Sequence, residues 1–127
     1  MNMRLLFVYN ADSGLLSSLK DTVHKSVSPG TYQCNLCKVT FGPVSMKQQW
    51  KEYIASLPHD IEFLHRDEFQ RRYPEAKNIS LPTLFVTRRN GIETAIPATA
   101  INNVRSVEDL IELVSTFLES NKKQFYD

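Results

Sequence analysis

The chain alternates between apolar runs and polar breaks, and its first two blocks predict a strand followed by a helix. Met3–Tyr9 is almost unbroken in its apolar character, which is typical of a strand buried on both faces. Leucines and valines then recur at helical spacing over 13–27, and either Asp12 or Ser13 can cap that helix. A Ser-Pro-Gly sequence at 28–30 ends it.

The next stretch combines a loop with a second predicted helix. Residues 28–44 contain two prolines and two glycines without a sustained period, so they predict a long loop. A Cys-x-x-Cys motif, formed by Cys34 and Cys37, lies inside this loop. Ser45 starts a capping-box pattern ahead of an apolar face, which predicts a helix over 45–57.

The second half of the chain predicts a strand, a short helix and a hairpin. Ile61–His65 alternates enough to form a short strand, and Asp67 can cap a brief helix that ends before Pro74. Two apolar or β-branched runs, Pro82–Arg88 and Ile92–Ile96, flank the dipeptide Asn90-Gly91. That dipeptide suits a type I′ turn, so the two runs predict antiparallel strands.

The last regular segment predicts a terminal amphipathic helix. Ser106 precedes apolar residues at i, i+3, i+4 and i+7 spacing that continue to Leu118. The predicted elements pack sensibly as helices on both faces of one mixed, four-stranded sheet, which defines an α/β fold. At 127 residues, of which 42% are hydrophobic, the chain is the right size for a single domain spanning 1–127.

Charge and hydropathy narrow the range of partners. Fifteen basic and fourteen acidic side chains nearly cancel, so we expect no binding to nucleic acid or to anionic lipid. The first apolar run is too short for a signal peptide, and no stretch approaches the ~20 apolar residues of a membrane span. We therefore expect a soluble cytoplasmic protein without a bound cofactor, in which both cysteines rest as thiols.

Three features of the chain together resemble the thioredoxin-like fold superfamily. They are the order of predicted elements, the segment Ile79–Phe85 with its Leu81-Pro82 pair, and the terminal helix. The resemblance implies a cis peptide bond before Pro82. It also implies that the Leu81 backbone lies beside the start of the first helix, where the family docks extended peptides. A cis X-Pro bond is a minority state that needs structural support.

This sequence departs from the thioredoxin-like pattern at the redox position. In the family a Cys-x-x-Cys motif begins the first helix, whereas the corresponding residues here, 11–15, read Ala-Asp-Ser-Gly-Leu. By this comparison residues 28–58 look like an inserted loop and helix. A helix over 13–27 would span about 22 Å at about 1.5 Å per residue, which predicts Cys34 and Cys37 near the opposite end from Pro82 unless the loop folds back along the helix.

Three further strings resemble those of a small bacterial family without an established activity. They are Val8–Gly14, Thr31–Cys37 and Phe63–Phe69. This second resemblance implies no specific chemistry, so the functional hypotheses depend on individual residues.

Cys34 and Cys37 support three interpretations. Two intervening residues allow both sulfurs to meet in one turn, either as a reversible disulfide or as half of a metal site. The other ligands of a zinc site would come from His24, His59 and His65, and the spacing fits no standard finger. The third interpretation is that both cysteines are small buried hydrophobic residues.

The first functional hypothesis is a noncatalytic binding module that receives an extended peptide, a protein partner or a small ligand. Its groove would be lined by one segment at the end of the first strand and one at the start of the third: Asp12, Ser13, Gly14, Leu81, Pro82 and Thr83. The alternatives are a dithiol–disulfide oxidoreductase or redox sensor that uses Cys34 and Cys37, and a structural zinc-binding domain. The ligand and the oligomeric state stay open.

Overall fold

A computed structural model describes residues 4–12, 34–41, 46–88 and 91–121. Its four strands are β1 (Arg4–Val8), β2 (Asp60–Leu64), β3 (Thr83–Arg88) and β4 (Gly91–Ile96). They form one sheet in the order β2-β1-β3-β4. The central strand β1 is parallel to β2 and antiparallel to β3, and β3 is antiparallel to β4.

The described residues also form five α-helices. They are α1 (Asn35–Thr40), α2 (Gln48–Ser56), α3 (Arg66–Arg72), α4 (Ala98–Ile101) and α5 (Val107–Ser120), and a 3₁₀ turn (Pro74–Ala76) follows α3. Because β1 and β2 are parallel, the chain between them must cross from one end of the sheet to the other. Both α1 and α2 lie within that crossover.

Side chains of β1 alternate between two hydrophobic cores, one on each face of the sheet. Leu5, Phe7 and Tyr9 face the larger core, which α1, α2 and α5 complete. Trp50 of α2 is fully buried there, and its ring meets the Phe7 ring edge-on at 5.5 Å. The larger core therefore fixes the crossover helices against the sheet.

The opposite face carries the smaller core. Leu6 and Val8 of β1 pack there with Phe85 of β3 and with Phe69 of α3. The Phe69 and Phe85 rings stack with their centroids 4.9 Å apart. Helices consequently cover both faces of the mixed sheet, which confirms the predicted α/β architecture at this level.

The most regular sequence patterns correspond to observed elements. The predicted hairpin is present as β3 and β4, and Gly91 has a φ of 134°, a backbone conformation that favours glycine. The terminal helix is also confirmed, because the Ser106 hydroxyl accepts a hydrogen bond from the Asp109 N–H at 3.1 Å as an N-cap. The predicted helix over 13–27, together with Ser45 and Asn90, lies outside the described residues.

Three local predictions are wrong. Part of the predicted loop, Asn35–Thr40, is the helix α1. The helix predicted to start at Ser45 starts at Gln48, because Met46 pairs instead with Phe41 in an isolated antiparallel bridge. The cap of α3 is residue 65 rather than Asp67, which falls in the first helical turn and complements the helix dipole there.

One finding concerns the membrane. Among the helices of the described ranges, none has the length and apolar character required to cross a bilayer.

Candidate functional site

The structure places the Cys-x-x-Cys motif at the start of α1. Cys34 is the N-cap residue, with an extended backbone (φ −111°, ψ 97°), and Cys37 lies in the first turn. The Cys34 Sγ accepts a hydrogen bond from the Cys37 backbone N–H at 3.2 Å. The sulfur thus occupies the position where a serine or aspartate oxygen usually caps a helix.

A second backbone donor reaches the same sulfur from the sheet. The Asn10 N–H donates to the Cys34 Sγ at 3.2 Å, and Asn10 lies two residues beyond the end of β1. Two fixed N–H groups from separate parts of the chain therefore converge on Cys34. Hydrogen bonds of this kind favour a thiolate over a thiol.

The two thiols consequently differ in acidity. Burial by itself raises the pKa of Cys34, but hydrogen bonds from the Cys37 thiol and from the backbone N–H groups of Asn10, Cys37 and Leu36 outweigh it and lower the pKa. The pKa of Cys37 is raised, first by its hydrogen bond to Cys34 and then by burial. Cys34 is therefore the more acidic of the two thiols.

Both cysteines are free thiols enclosed by the larger core. Cys34 is 1% exposed and Cys37 is 3% exposed. Leu36, between them in the motif, is also buried. An external reactant therefore reaches either sulfur only after a local opening of the protein.

The dithiol lies at the same edge of the sheet as Pro82. Val8 at the end of β1 pairs with Thr83 at the start of β3, so the residues following Val8 and those preceding Thr83 share this edge. The Leu81–Pro82 peptide bond, which is cis, immediately precedes Thr83. The prediction of opposite ends is wrong, because the chain returns to the end of β1 before α1 begins.

An arginine stands beside the dithiol. The Arg66 Nε donates to the Asp12 carboxylate at 3.0 Å, and its Nη1 donates to the Asn10 side-chain oxygen at 3.3 Å. The pKa of Arg66 is raised, mainly by the hydrogen bond with Asp12, then by the charges of Asp12 and Asp67, and least by Cys34. Arg66 is thus linked to the Cys34 sulfur through Asn10, and Asp12 offsets part of its charge.

Tyr9 is a further polar residue packed in the same core as the two cysteines. Its ring stacks on Phe63 at 5.9 Å and meets the Phe41 ring at 5.9 Å, and the residue is 3% exposed. Its hydroxyl has no hydrogen-bond partner within the described part of the chain. The Thr40 hydroxyl is close enough to affect the pKa of Tyr9 but does not have hydrogen-bonding geometry with it.

The sequence patterns assigned no function to Arg66 or to Tyr9, for different reasons. Tyr9 belongs to an apolar run and was indistinguishable from a core residue. Arg66 follows β2 directly, and the ends of strands are where α/β proteins often place functional groups. That position was the available signal for Arg66, whereas no sequence signal identified Tyr9.

The predicted binding groove is present only in part among the described residues. Asp12 is paired with Arg66, Leu81 is half-buried, and Pro82 is buried. Thr83 is fully buried, and its hydroxyl donates to the Ser80 carbonyl oxygen at 2.6 Å. Ser13 and Gly14 lie outside the described residues.

The proposed zinc ligands do not come together in the described part of the chain. No cluster of three or more His, Cys, Asp or Glu side chains suitable for a metal ion occurs there. His59 precedes β2, at the opposite end of that strand from His65. The His65 Nδ1 lies 2.7 Å from the Glu68 Oε1, and His24 lies outside the described residues.

Comparison with protein-family models, with curated proteins and with solved structures finds no match for this chain. The functional argument therefore depends on the geometry around Cys34.

Proposed function

We propose that this protein is a dithiol–disulfide redox protein whose reactive pair is Cys34 and Cys37. The observation that carries the proposal is the pair of backbone N–H groups, from Asn10 and Cys37, that each donate to the Cys34 Sγ at 3.2 Å. Thiol–disulfide exchange needs one thiolate near neutral pH and a second thiol within reach of it. The difference in pKa between the two cysteines supports that division of roles.

The chemistry follows from these roles. The Cys34 thiolate attacks one sulfur of a substrate disulfide, forms a mixed disulfide and releases the other sulfur as a thiolate. Cys37 then loses its proton, attacks the Cys34 Sγ and releases the second substrate thiolate. The pair ends as an intramolecular disulfide, and two electrons have passed to the substrate.

We also infer that the fold is thioredoxin-like. The sheet order β2-β1-β3-β4, with β2 parallel and β3 antiparallel to β1, supports this inference. The position of Cys34 as the N-cap of α1, at the edge shared with Pro82, agrees with the family's redox position. Under this proposal, residues 13–33 are the additional segment, since the motif itself returns to the end of β1.

Under this proposal, the groove of the binding-module hypothesis would hold the substrate of the redox pair. Asp12 and Leu81 lie at the sheet edge that also carries Cys34, so a peptide held there would be close to the reactive sulfur. By resemblance to the thioredoxin-like proteins, that peptide would be extended. The burial of both sulfurs requires a local opening before reaction, so we expect slower attack than at an exposed thiol.

A redox titration tests the proposal. The purified protein is equilibrated in glutathione buffers that span roughly −220 to −320 mV, the range of cytosolic poise, and its free thiols are trapped by alkylation and counted by mass spectrometry. We expect a reversible transition from two free thiols to an intramolecular disulfide. Absence of that disulfide under oxidising buffers would contradict the proposal.

Two single variants complete the test. Cys34→Ser should abolish the reduction of insulin disulfides, whereas Cys37→Ser should still form a mixed disulfide through Cys34. Full insulin-reducing activity in Cys34→Ser would exclude a redox role for this pair. Stoichiometric zinc in freshly purified protein, lost in both variants, would instead support the structural metal site.

A further inference from the structure

We propose that the Tyr9 hydroxyl assists the second step of the exchange by donating a hydrogen bond to the Cys37 sulfur while that sulfur is a thiolate. This inference rests on the proposed redox function. It concerns a residue that has no part in activating Cys34, and it assigns a chemical role to a buried hydroxyl that otherwise has none.

The Tyr9 ring is fixed against the turn of chain that carries the two cysteines. Tyr9 precedes Asn10, whose N–H binds the Cys34 Sγ. On the other side, the Phe41 N–H donates to the Cys37 carbonyl oxygen at 3.0 Å, and the Phe41 ring meets Tyr9 at an interplanar angle of 63°. Both cysteines and Tyr9 belong to the same buried cluster.

Two further rings constrain Tyr9. Phe63 of β2 stacks on Tyr9 at an interplanar angle of 13°, and the His65 ring centroid lies 5.6 Å away. With three rings packed against it, the Tyr9 ring has little freedom to turn its hydroxyl elsewhere. The hydroxyl therefore keeps a defined position in the core.

That hydroxyl is an unused donor inside the described structure. Tyr9 is 3% exposed, and its oxygen has no hydrogen-bond partner among the described residues. The Thr40 hydroxyl donates its own hydrogen to the Leu36 carbonyl oxygen at 2.6 Å. A buried hydroxyl without a partner costs free energy, and such exceptions in native proteins often mark functional positions.

The electrostatics are consistent with a donor that acts on Cys37. Burial raises the pKa of the Tyr9 phenol above its ordinary value, and the two neighbouring thiol groups raise it further whenever either is ionised. Tyr9 therefore stays protonated through the cycle. The Cys34 sulfur already receives two backbone N–H donors, from Asn10 and Cys37, so Cys37 is the sulfur that a further donor would serve.

The second step is where such a donor matters. In the dithiol, the interaction with the Cys34 thiol raises the pKa of Cys37, and this interaction is lost when Cys34 enters a mixed disulfide. The Cys37 proton then passes to the substrate thiolate released in the first step or to water, and a buried thiolate remains. A hydrogen bond from Tyr9 stabilises that thiolate until it attacks the Cys34 Sγ and expels the second substrate thiolate.

The two steps are separable with dithiobis-nitrobenzoate, an aromatic disulfide that supplies the oxidant. Attack by Cys34 releases one coloured nitrothiobenzoate, and attack by Cys37 on the mixed disulfide releases the second. Reduced protein, freed of reductant, is mixed with the reagent in a stopped-flow instrument. Cys37→Ser retains only the first phase and so assigns the two phases.

Tyr9→Phe is the informative variant because it keeps the buried ring and removes only the hydroxyl. The matched control is Tyr53→Phe, which removes a hydroxyl that pairs with Ser115 at 2.7 Å on α5. We expect Tyr9→Phe to slow the second phase by roughly tenfold or more, as for loss of a hydrogen bond to a charged group. The first phase should change by less than about twofold, and Tyr53→Phe should change neither phase.

The outcomes separate this inference from the proposed function. An unchanged second phase in Tyr9→Phe, or an equal slowing of both phases, overturns the role of Tyr9 while leaving the dithiol chemistry in place. If the unmodified protein itself shows no second phase, the proposed function fails, and the inference fails with it.

Discussion

The Sγ of Cys34 accepts a hydrogen bond from the backbone N–H of Asn10 across a separation of 24 residues. This contact joins the N-cap of α1 to the residues just beyond the central strand, so the Cys34 sulfur is held next to a buried part of the sheet. Leu5, Leu6, Phe7 and Val8 of that strand are all fully buried. The thiol is therefore positioned by a rigid element, which favours a fixed hydrogen-bond geometry around it.

The first prediction concerns the acidity of Cys34. Its alkylation by iodoacetamide, followed against pH by mass spectrometry, should show a midpoint below the value of about 8.5 that is typical of a free cysteine. The physical reason is hydrogen-bond donation to the sulfur, from Cys37 and from the backbone N–H of Asn10, which outweighs burial. The thiolate is thus present above that lowered midpoint and is lost as the pH falls through it.

Cys37→Ala provides the matched comparison for this measurement. This variant removes the thiol of residue 37 but keeps its backbone N–H. The alkylation midpoint of Cys34 should therefore rise above that of the unmodified protein. It should stay below the midpoint expected for a buried Cys34 that accepts no hydrogen bonds. A midpoint at or above the ordinary cysteine value in the unmodified protein would show that burial dominates instead.

The second prediction concerns Arg66. Replacing it with glutamine removes the positive charge near Cys34, so alkylation of Cys34 at neutral pH should slow by about two- to fivefold, a modest effect because the guanidinium is partly exposed to solvent. Arg66→Lys should retain most of the rate, because it keeps the charge. Arg71→Gln is the control on the same helix, since Arg71 pairs only loosely with Asp67, at 3.8 Å. Equal rates in the Arg66 and Arg71 variants would exclude an electrostatic role for Arg66.

Periodic patterns predicted those parts of the fold that depend on local sequence. The run around β1, the Gly91 hairpin and the helix capped by Ser106 each have a regular spacing or a specific turn residue, so their types and approximate bounds were predictable. The helix α1 has six residues and no sustained period, and for that reason the sequence there suggested a loop. Its stability comes from packing of Leu36 and Val39 in the larger core.

The candidate site was less predictable than the fold. The spacing of Cys34 and Cys37 was visible in the sequence, but the donor from Asn10 depends on a tertiary contact between distant segments. A prediction built on a straight helix over 13–27 placed the motif at the wrong end of the molecule. Sequence spacing fixes which residues can share a turn, whereas it does not determine where a long crossover returns to the sheet.

The third prediction concerns the stability of the Tyr9 variant. Because the Tyr9 hydroxyl has no partner among the described residues, Tyr9→Phe should leave the free energy of unfolding unchanged or increase it by about 1 kcal/mol. Tyr53→Phe should instead decrease it by up to about 1 kcal/mol, because it breaks the hydrogen bond with Ser115. Urea unfolding followed by circular dichroism measures both. A decrease in Tyr9→Phe larger than that in Tyr53→Phe would show that the Tyr9 hydroxyl has a structural partner.

The last prediction concerns Asn35, the residue that follows Cys34 in the motif. Its Nδ2 donates to the Ile101 carbonyl oxygen at 2.8 Å and to the Val104 carbonyl oxygen at 2.9 Å, at the end of α4 and in the turn before α5. These bonds tie the dithiol turn to the C-terminal part of the chain. Asn35→Ala should therefore lower the free energy of unfolding by about 1–3 kcal/mol, since two partly buried carbonyl groups lose their donor.

Asn35→Asp sharpens this test, because a carboxylate cannot donate and places negative charge against two carbonyl oxygens. It should destabilise the protein more than Asn35→Ala does. Lys38→Ala, at an exposed position of the same helix, is the control and should change the free energy of unfolding by less than about 0.5 kcal/mol. If Asn35→Asp were as stable as the unmodified protein in urea unfolding, the side-chain amide would not be what joins α1 to the turn before α5. The dithiol would then be held in place by the core packing of α1 and by Asn10 alone.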